Sequence, residues 1–341
     1  MNPHVLVARL DNAGDVLLAG PAIRAVAAGA RRVTMLCGPR GEDAAQMLPG
    51  IDEILVYQAP WVALDPEPLD REETVSLVEE LAARELDRAI IFTSFHQSPL
   101  PLALLLRLAG IPFVAATSVD YPGSLLDIRH RISDDVHEVE RSLDLVGTAG
   151  YELPPGDDDR LAIVQTGERP AQLENGPYTV VHPGTSVPAR AWGSEKNAAL
   201  VDALVAAGRR VVVTGGPGER DLTDRAAGPP RPGVLNLGGE TDLADLAEVI
   251  AGADAVVVGN TGPAHLAAAV DTPVVSLFAP TVPAVRWRPW RVPHVLLHRD
   301  VPCAGCRARV CPVEGHPCLG GVAVEEVVAA VELLAPVGVA R

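Results

Sequence analysis

The stretch Ala253-Asp-Ala-Val-Val-Val-Gly-Asn-Thr-Gly-Pro-Ala-His-Leu-Ala-Ala-Ala269 decides the fold. Residues 255–258 are a short apolar run of strand length, and residues 263–269 read as a helix. Asn260, Thr261 and Gly262 form the turn between them. Pro263 suits the first helical position because its missing N–H would have no intrahelical partner there. The free N–H groups at such a helix start can bind phosphate oxygens. Gly262 lets a phosphate approach closely, Thr261 adds a hydroxyl donor, and His265 in the first helical turn is a candidate donor to the same anion. The competing reading is an ordinary capped strand–turn–helix with a packed histidine.

Outward from this stretch, the same alternation fills both halves of the chain. In the second half, residues 178–181, 210–213, 234–237 and 274–278 read as further strands. Residues 194–207, 219–226 and 242–251 read as helices. In the first half, 5–8, 33–37, 53–56, 89–92 and 113–115 read as strands, and 14–28, 42–48, 70–85, 102–108 and 134–146 as helices. Strand, helix, strand in repetition implies parallel sheets with crossover helices, an α/β class. The Pro-, Gly- and Asp-rich segment 153–176 is the linker, with 161–164 as a short strand inside it. Three segments are therefore expected: 1–170, 171–321, and 322–341, whose helix at 323–334 packs back on the first half. Two such halves facing each other leave a cleft. Ligands of doubly wound sheets bind outside the carboxyl ends of the strands, so the cleft is the expected site.

Three more motifs follow strands. His182-Pro-Gly-Thr-Ser186 leads to Arg190-Ala-Trp192. Thr185 and Ser186 supply hydroxyl donors, and Arg190 supplies a permanent charge with a planar fork suited to phosphate. The competing reading of Arg190 is a solvated charge. Thr214-Gly-Gly-Pro-Gly-Glu219 is like a dinucleotide loop but lacks the full G-x-G-x-x-G spacing, which argues against a dehydrogenase. Glu219 is a candidate acceptor from ribose hydroxyls, or a carboxylate complementing a helix dipole. Near the start, Arg9-Leu-Asp-Asn-Ala-Gly-Asp15 puts Asp15 at a helix start facing the strand ends. There it either caps the helix or takes the proton of an attacking hydroxyl. Ser94, His96 and Gln97 follow the 89–92 strand and are candidates to line an acceptor pocket. Arg129, His130, Arg131 and His137 are weaker candidates, read more readily as structural.

The formal net charge of −16 works against non-specific nucleic-acid binding, which needs a basic surface. It also disfavours adhesion to an anionic membrane. The first apolar run is short and soon meets Asp11 and Asp15, unlike a secretory leader. No window is long and apolar enough to span a bilayer. The expectation is a cytoplasmic protein with no nucleic-acid partner and no stable membrane insertion. Aromatic residues make up only 4% of the chain, so Val, Leu, Ile and Ala must do the packing. Of five cysteines, Cys37 ends a strand and reads as core. Cys303-x-x-Cys306-x4-Cys311-x6-Cys318 is a candidate ligand set for a structural zinc ion, with His316 as a substitute ligand. The wide second spacing departs from a standard ribbon, and free thiols are the competing reading. Two disulfides would be unusual in a reducing compartment.

Taken together, these motifs resemble glycosyltransferase family 9, whose known members are ADP-heptose heptosyltransferases of lipopolysaccharide core assembly. The residues that carry the resemblance are Arg9-x-Asp-x-x-Gly-Asp15-x-Leu-Leu with Pro21, His182-Pro-Gly-Thr-Ser186 with Arg190-x-Trp192, and Gly259-Asn-Thr-Gly-Pro-Ala-His265-Leu-Ala with Phe278-x-Pro280-Thr281. They span nearly the whole chain. The resemblance implies a GT-B fold of two Rossmann-like domains, with acceptor binding in 1–170 and nucleotide-sugar binding in 171–321. It implies inverting transfer of a sugar, a heptose from ADP-heptose, to a hydroxyl of a glycan or a small secondary metabolite, with no cofactor required. Asp15 occupies the position of the family's proposed catalytic base. Arg190 stands where the family often has lysine. Thr185, Ser186, Thr261, Gly262 and His265 match donor-phosphate positions. Asn260 stands where heptosyltransferases often carry aspartate, which leaves the donor sugar open. Two other readings stay open: a nucleotide-sugar epimerase or hydrolase of the same fold, and a non-catalytic sugar-nucleotide-binding protein. The presence of Asp15 and Arg190 argues against the second.

Overall fold

The structure, a computed structural model, describes residues 2–63, 65–173 and 176–336. The chain divides into two compact units, Met1–Val164 and Gln165–Arg341. The division falls at the start of the region expected near residue 170, inside the Pro/Gly/Asp-rich segment. Residues 174 and 175 of that segment lie outside the described residues.

The first unit holds strands β1 (His4–Arg9), β2 (Arg32–Cys37), β3 (Glu53–Val56), β4 (Arg88–Ile91), β5 (Val114–Thr117) and β6 (Ile128–His130). Its helices are α1 (Ala13–Gly29), α2 (Glu42–Met47), α3 (Arg71–Ala82), α4 (Leu100–Leu108) and α5 (Glu138–Thr148). All pairings are parallel, in the order β3-β2-β1-β4-β5-β6. Every residue of β1 is buried, as expected of a central strand covered on both faces. Leu6 and Ala8 of β1 join Leu36, Ala89, Ile91, Leu102 and Leu106 in one core cluster. A fully buried leucine or isoleucine of that cluster contributes about 1.5–3 kcal/mol.

The second unit repeats the plan with β7 (Thr179–His182), β8 (Val211–Val213), β9 (Val234–Asn236), β10 (Ala255–Gly259), β11 (Val274–Leu277) and β12 (His294–Leu297). Its helices are α6 (Ser194–Ala206), α7 (Arg220–Ala227), α8 (Leu243–Ala251), α9 (Gly262–Ala269), α10 (Ala284–Trp287), α11 (Pro317–Gly320) and α12 (Val324–Leu334). The order is β12-β11-β10-β7-β8-β9, again all parallel. Counted from β7, this is the same order as in the first unit. In each unit the order reverses beside the first strand, between β1 and β4 and between β7 and β10. Loops at the carboxyl ends of those strands part from each other there and leave the crevice in which such sheets bind ligands.

Four expectations are corrected. Edge strands β6 and β12 escaped the reading, because Arg129 and His130 interrupt one and the other is only half-buried. Residues 161–164 form no strand; instead the Val164 N–H donates to the Met47 carbonyl (2.7 Å). Helix α5 begins at Glu138 rather than near 134. His137 caps it, accepting from the Val139 N–H (3.2 Å) while Glu140 accepts from the His137 N–H (3.0 Å). The C-terminal helix is built into the second unit. Val327, Ala330 and Val331 of α12 share a core with Leu200, Val201 and Leu204 of α6 and with Val257 and Val275. That placement replaces the expectation of packing on the first half; residues 337–341 of the expected segment lie outside the described residues.

Arg24 of α1 clamps Asp157 with two hydrogen bonds, Nε to Oδ2 (2.7 Å) and Nη2 to Oδ1 (2.8 Å), and also donates to the Arg160 carbonyl (2.9 Å). The Arg24 hydrogen bonds hold the Asp157 carboxyl below its ordinary range, against the opposing effect of burial. A depressed folded pKa means the stabilisation is full above the unfolded value of about 3.9 and is lost as pH falls through the folded one. Asp157→Asn is therefore expected to lose about 1–2 kcal/mol at pH 7. The deficit against wild type should shrink below about pH 4, measured by urea unfolding at several pH values. A deficit independent of pH would remove the ion pair from the account.

Candidate functional site

The crevice of the first unit is built around one buried cation. Arg9 ends β1 and is 1% exposed. Its Nε pairs with Asp11 Oδ2 (2.7 Å), its Nη2 with Asp15 Oδ1 (3.1 Å), and its Nη1 with Glu138 Oε2 (3.3 Å). Nη2 also donates to Ser94 Oγ (2.9 Å), in the loop after β4. Burial alone would lower the Arg9 pKa; the charges of Asp11, Asp15 and Glu138 outweigh it and raise it. Burial pushes the Asp11 carboxyl up, with Arg9 pulling the other way and Asp15 adding to the rise. Gln97 closes the network. Its amide nitrogen donates to Asp11 Oδ1, and its oxygen accepts from the Ser94 N–H (3.2 Å). Asp15 sits in the first turn of α1, whose cap residue Asn12 makes no side-chain capping bond. Asp15 is the most exposed of the three carboxylates, at 21% against 7% for Asp11 and 1% for Glu138.

Of the residues expected to line an acceptor pocket, Ser94 and Gln97 brace this cluster. His96 is exposed and packs edge-on against the Phe95 ring (5.4 Å between centroids). His130 is taken up structurally, bonding Thr117 Oγ1 (2.8 Å) and Asp144 Oδ2 (2.6 Å), and His137 caps α5. Arg129 donates to the carbonyls of Ser118 (3.2 Å) and Val119 (2.5 Å).

In the second unit, the loops after β7 and β10 are locked together. A Cβ on Gly259 would lie 3.2 Å from Thr185 Cγ2 and 3.3 Å from the Arg190 carbonyl oxygen, so glycine permits the close approach. Arg190 Nη1 donates to the Asn260 carbonyl (3.3 Å), and Thr185 Oγ1 to the Val187 carbonyl (3.0 Å). These bonds bring Arg190, Thr185, Asn260, Thr261 and Gly262 to one crevice end. Thr261 is the N-cap of α9 but makes no side-chain capping bond. Its hydroxyl oxygen, like that of Thr281, is buried without a hydrogen-bond partner among the described residues. Orphaned hydroxyls of this kind call for a ligand or water. Gly262 opens α9, and His265 is buried within it. Ser186 is exposed on the same loop as Thr185.

Glu219 braces the site from behind. Its Oε2 accepts from the Gly216 N–H (2.8 Å), and a Cβ on Gly184 would lie 2.2 Å from the same oxygen. The structure thus shows the carboxylate supporting the 182–186 loop. His182 bonds Thr214 Oγ1 (3.0 Å), and burial holds its pKa below the ordinary value against the pull of Glu219.

Asn260 was singled out as a departure in a donor position, and the structure gives it a specific task. Its amide nitrogen donates to the Ala279 carbonyl (3.2 Å), and its oxygen accepts from the Ala279 N–H (3.2 Å). A side-chain amide carries both the donor and the acceptor that the two backbone groups of Ala279 require.

The cysteine segment lies behind these loops. Cys303, Cys306, Cys311, Cys318 and His316 line a cavity of about 50 Å³ together with Ala189, Pro280 and Thr281. The Gly305 N–H donates to the Pro280 carbonyl (2.7 Å), Arg307 N–H to Thr281 (3.0 Å), and Ala189 N–H to Arg309 (2.9 Å). All five cysteines are free thiols. Among the described residues, no three His, Cys, Asp or Glu groups stand together as a metal-binding set. Cys37 is core as read, and burial pushes its thiol up to about 12. Among the described residues no helix is long and apolar enough to cross a membrane.

Two doubly wound parallel sheets, one with a carboxylate cluster and one with a glycine turn at a helix start, define a two-domain α/β protein. The sequence matches glycosyltransferase family 9 (heptosyltransferase) over residues 74–316, and the chain belongs to that family. It is 33% identical over 166 residues to lipopolysaccharide heptosyltransferase 3 of Escherichia coli, covering 47% of each chain. It is 35% identical over 184 residues to lipopolysaccharide heptosyltransferase 1 of Pseudomonas aeruginosa, covering 51% of this chain and 48% of the other. The chain thus spans about half the length of these curated relatives. Among solved structures, a family 9 glycosyl transferase from Veillonella parvula superposes with a TM-score of 0.76 at 17% identity, covering 98% of both chains. The E. coli heptosyltransferase WaaC with ADP superposes with a TM-score of 0.73 at 20% identity, covering 97% of this chain and all of that one. These likenesses establish the GT-B fold.

Asn260→Asp should place a carboxylate oxygen against the Ala279 carbonyl and lose a donated bond, at a cost of about 1–3 kcal/mol. Thermal unfolding of the variant at neutral pH reads it. An unchanged Tm would mean the amide does not pin the turn.

Proposed function

We propose that the protein is an inverting glycosyltransferase that moves a sugar, a heptose carried by ADP, to a hydroxyl of a glycan or small-molecule acceptor. One observation carries the reading: Arg190, the Thr261 hydroxyl and the α9 N-terminus meet at the end of β10, in a chain of family 9. That set suits a diphosphate, because it offers a fixed cation, an unpartnered hydroxyl and free N–H groups. The WaaC structure with ADP, from a protein of the same fold, supports a nucleotide diphosphate as the ligand.

On this reading, the acceptor hydroxyl attacks the anomeric carbon as its bond to the diphosphate oxygen breaks. Asp15 takes the hydroxyl proton. Negative charge grows on the leaving diphosphate, and Arg190 and the N–H groups of α9 stabilise it. A single in-line displacement inverts the anomeric centre, and the step as written needs no metal. Thr185, Ser186 and His265 complete the donor contacts, and Glu219 supports their loop. Ser94, His96 and Gln97 stand on the acceptor side. The expected setting is the cytoplasm, with a sugar nucleotide and a glycan as partners.

The test uses purified protein, ADP-heptose and a panel of glycan acceptors that includes deacylated lipopolysaccharide core oligosaccharide. ADP release should depend on acceptor. Asp15→Ala should bind ADP within about twofold of wild type by calorimetry, yet lose about 100-fold or more in turnover, the usual size of a general-base effect. Equal ADP-heptose consumption without any acceptor would favour hydrolysis or epimerisation instead. Normal turnover by Asp15→Ala would remove Asp15 from the mechanism.

A further inference from the structure

We propose that Arg9 is a positioning residue for transfer: its guanidinium, held by Asp11, Glu138 and Ser94, fixes the direction of the Asp15 carboxylate. The inference rests on the reading of Asp15 as the proton acceptor, and it adds a role for a residue that is itself only 1% exposed.

The geometry carries it. A guanidinium is planar and offers five N–H bonds in fixed directions. Here three of its sides are taken by groups from separate parts of the chain. Asp11 comes from the loop after β1, Ser94 from the loop after β4, and Glu138 from the start of α5, 129 positions away. Glu138, Asp15 and Ser94 take N–H bonds, and Asp11 holds Nε as an ion pair at 2.7 Å, so groups from separate parts of the chain restrain the plane. The Nη2 group that donates to Ser94 also meets Asp15 Oδ1. The second Asp15 oxygen makes no hydrogen bond with the described residues, so one oxygen is held and the other is left for a substrate proton. Each anchor is itself anchored: Asp11 by Gln97, Ser94 by Gln97 through its N–H, and Glu138 by Arg141 (3.3 Å).

Stability alone does not account for the arrangement. Buried ion clusters add little net stability over well-packed apolar side chains. Arg9 instead gathers three carboxylates, of which only Asp15 reaches solvent to an appreciable degree. A device that aims one exposed carboxylate explains both the excess of anions and the burial of the cation. Ser94 and Gln97 then serve the acceptor by bracing Arg9.

The experiment is a double-mutant cycle. Lysine keeps the charge but has no planar fork, so Arg9→Lys can hold one carboxylate without fixing its direction. With ADP-heptose and deacylated core oligosaccharide, Arg9→Lys should lower kcat about 10- to 100-fold, the scale of a misplacement near 1 Å. The donor KM should stay within about twofold. In an Asp15→Asn background, Arg9→Lys should cost nothing further, because the two act as a unit. If no acceptor supports turnover, the slow hydrolysis of ADP-heptose by water reads the same cycle, since water too must lose a proton. An additive loss in the double variant, or a raised donor KM with kcat unchanged, overturns the positioning role. Undiminished turnover by Asp15→Asn alone is the separate result that overturns the base assignment. Should Arg9→Lys lack a cooperative thermal transition, Ser94→Ala carries the test. With one anchor gone it should lower kcat about 3- to 10-fold at unchanged Tm, and again only when Asp15 is present.

Discussion

Strand order is the constraint on which everything else depends. In both sheets the chain starts at a central strand, builds outward to one edge, then returns and builds to the other. The connection after β1 leads to one face of its sheet and the connection after β4 to the opposite face, so their loops separate. The same holds for β7 and β10. Backbone N–H groups, glycine turns and helix starts are thereby concentrated at one edge of each sheet. Asp15, Ser94, Arg190, Thr261 and His265 lie in those four loops or in the helices that follow.

The two crevices use that shared architecture for opposite electrostatic ends. In the first, a single buried arginine is surrounded by Asp11, Asp15 and Glu138, so carboxylates outnumber the cation. In the second, the carboxylate nearest the loops, Glu219, is turned to the Gly216 N–H beneath Gly184. That crevice presents an arginine, a helix N-terminus and a threonine hydroxyl that has no hydrogen-bond partner among the described residues. One crevice gathers carboxylates and the other gathers hydrogen-bond donors.

How much of this was legible in the sequence follows from range. Central strands were plain because Val- and Ile-rich runs buried on both faces have no other reading at that length. Edge strands β6 and β12 were not, since Ile128-Arg-His130 carries polar side chains and His294 to Leu297 is only half-buried. The turns after β7 and β10 were legible because their signals are local: glycine, hydroxyl and helix start lie within a few residues. The Arg9 cluster was legible only in its local half. Asp11 and Asp15 stand two and six positions along, whereas Glu138 arrives from the other end of the unit and leaves no local trace. Ser94 and Gln97 were found as polar residues in the right loop, but only coordinates show that they face a guanidinium. The four cysteines were seen as a cluster, and the structure adds that they share a cavity with Pro280 and Thr281, to which their segment is bonded through Gly305 and Arg307.

The central claim is that the crevice at the ends of β7 and β10 is where a diphosphate binds. A crystal structure of the protein grown with ADP tests it most directly. The account predicts the diphosphate oxygens within hydrogen-bond reach of Arg190, the Thr261 hydroxyl and the first N–H groups of α9, with Asn260 still joined to Ala279. A diphosphate bound elsewhere, with those groups untouched, would contradict it.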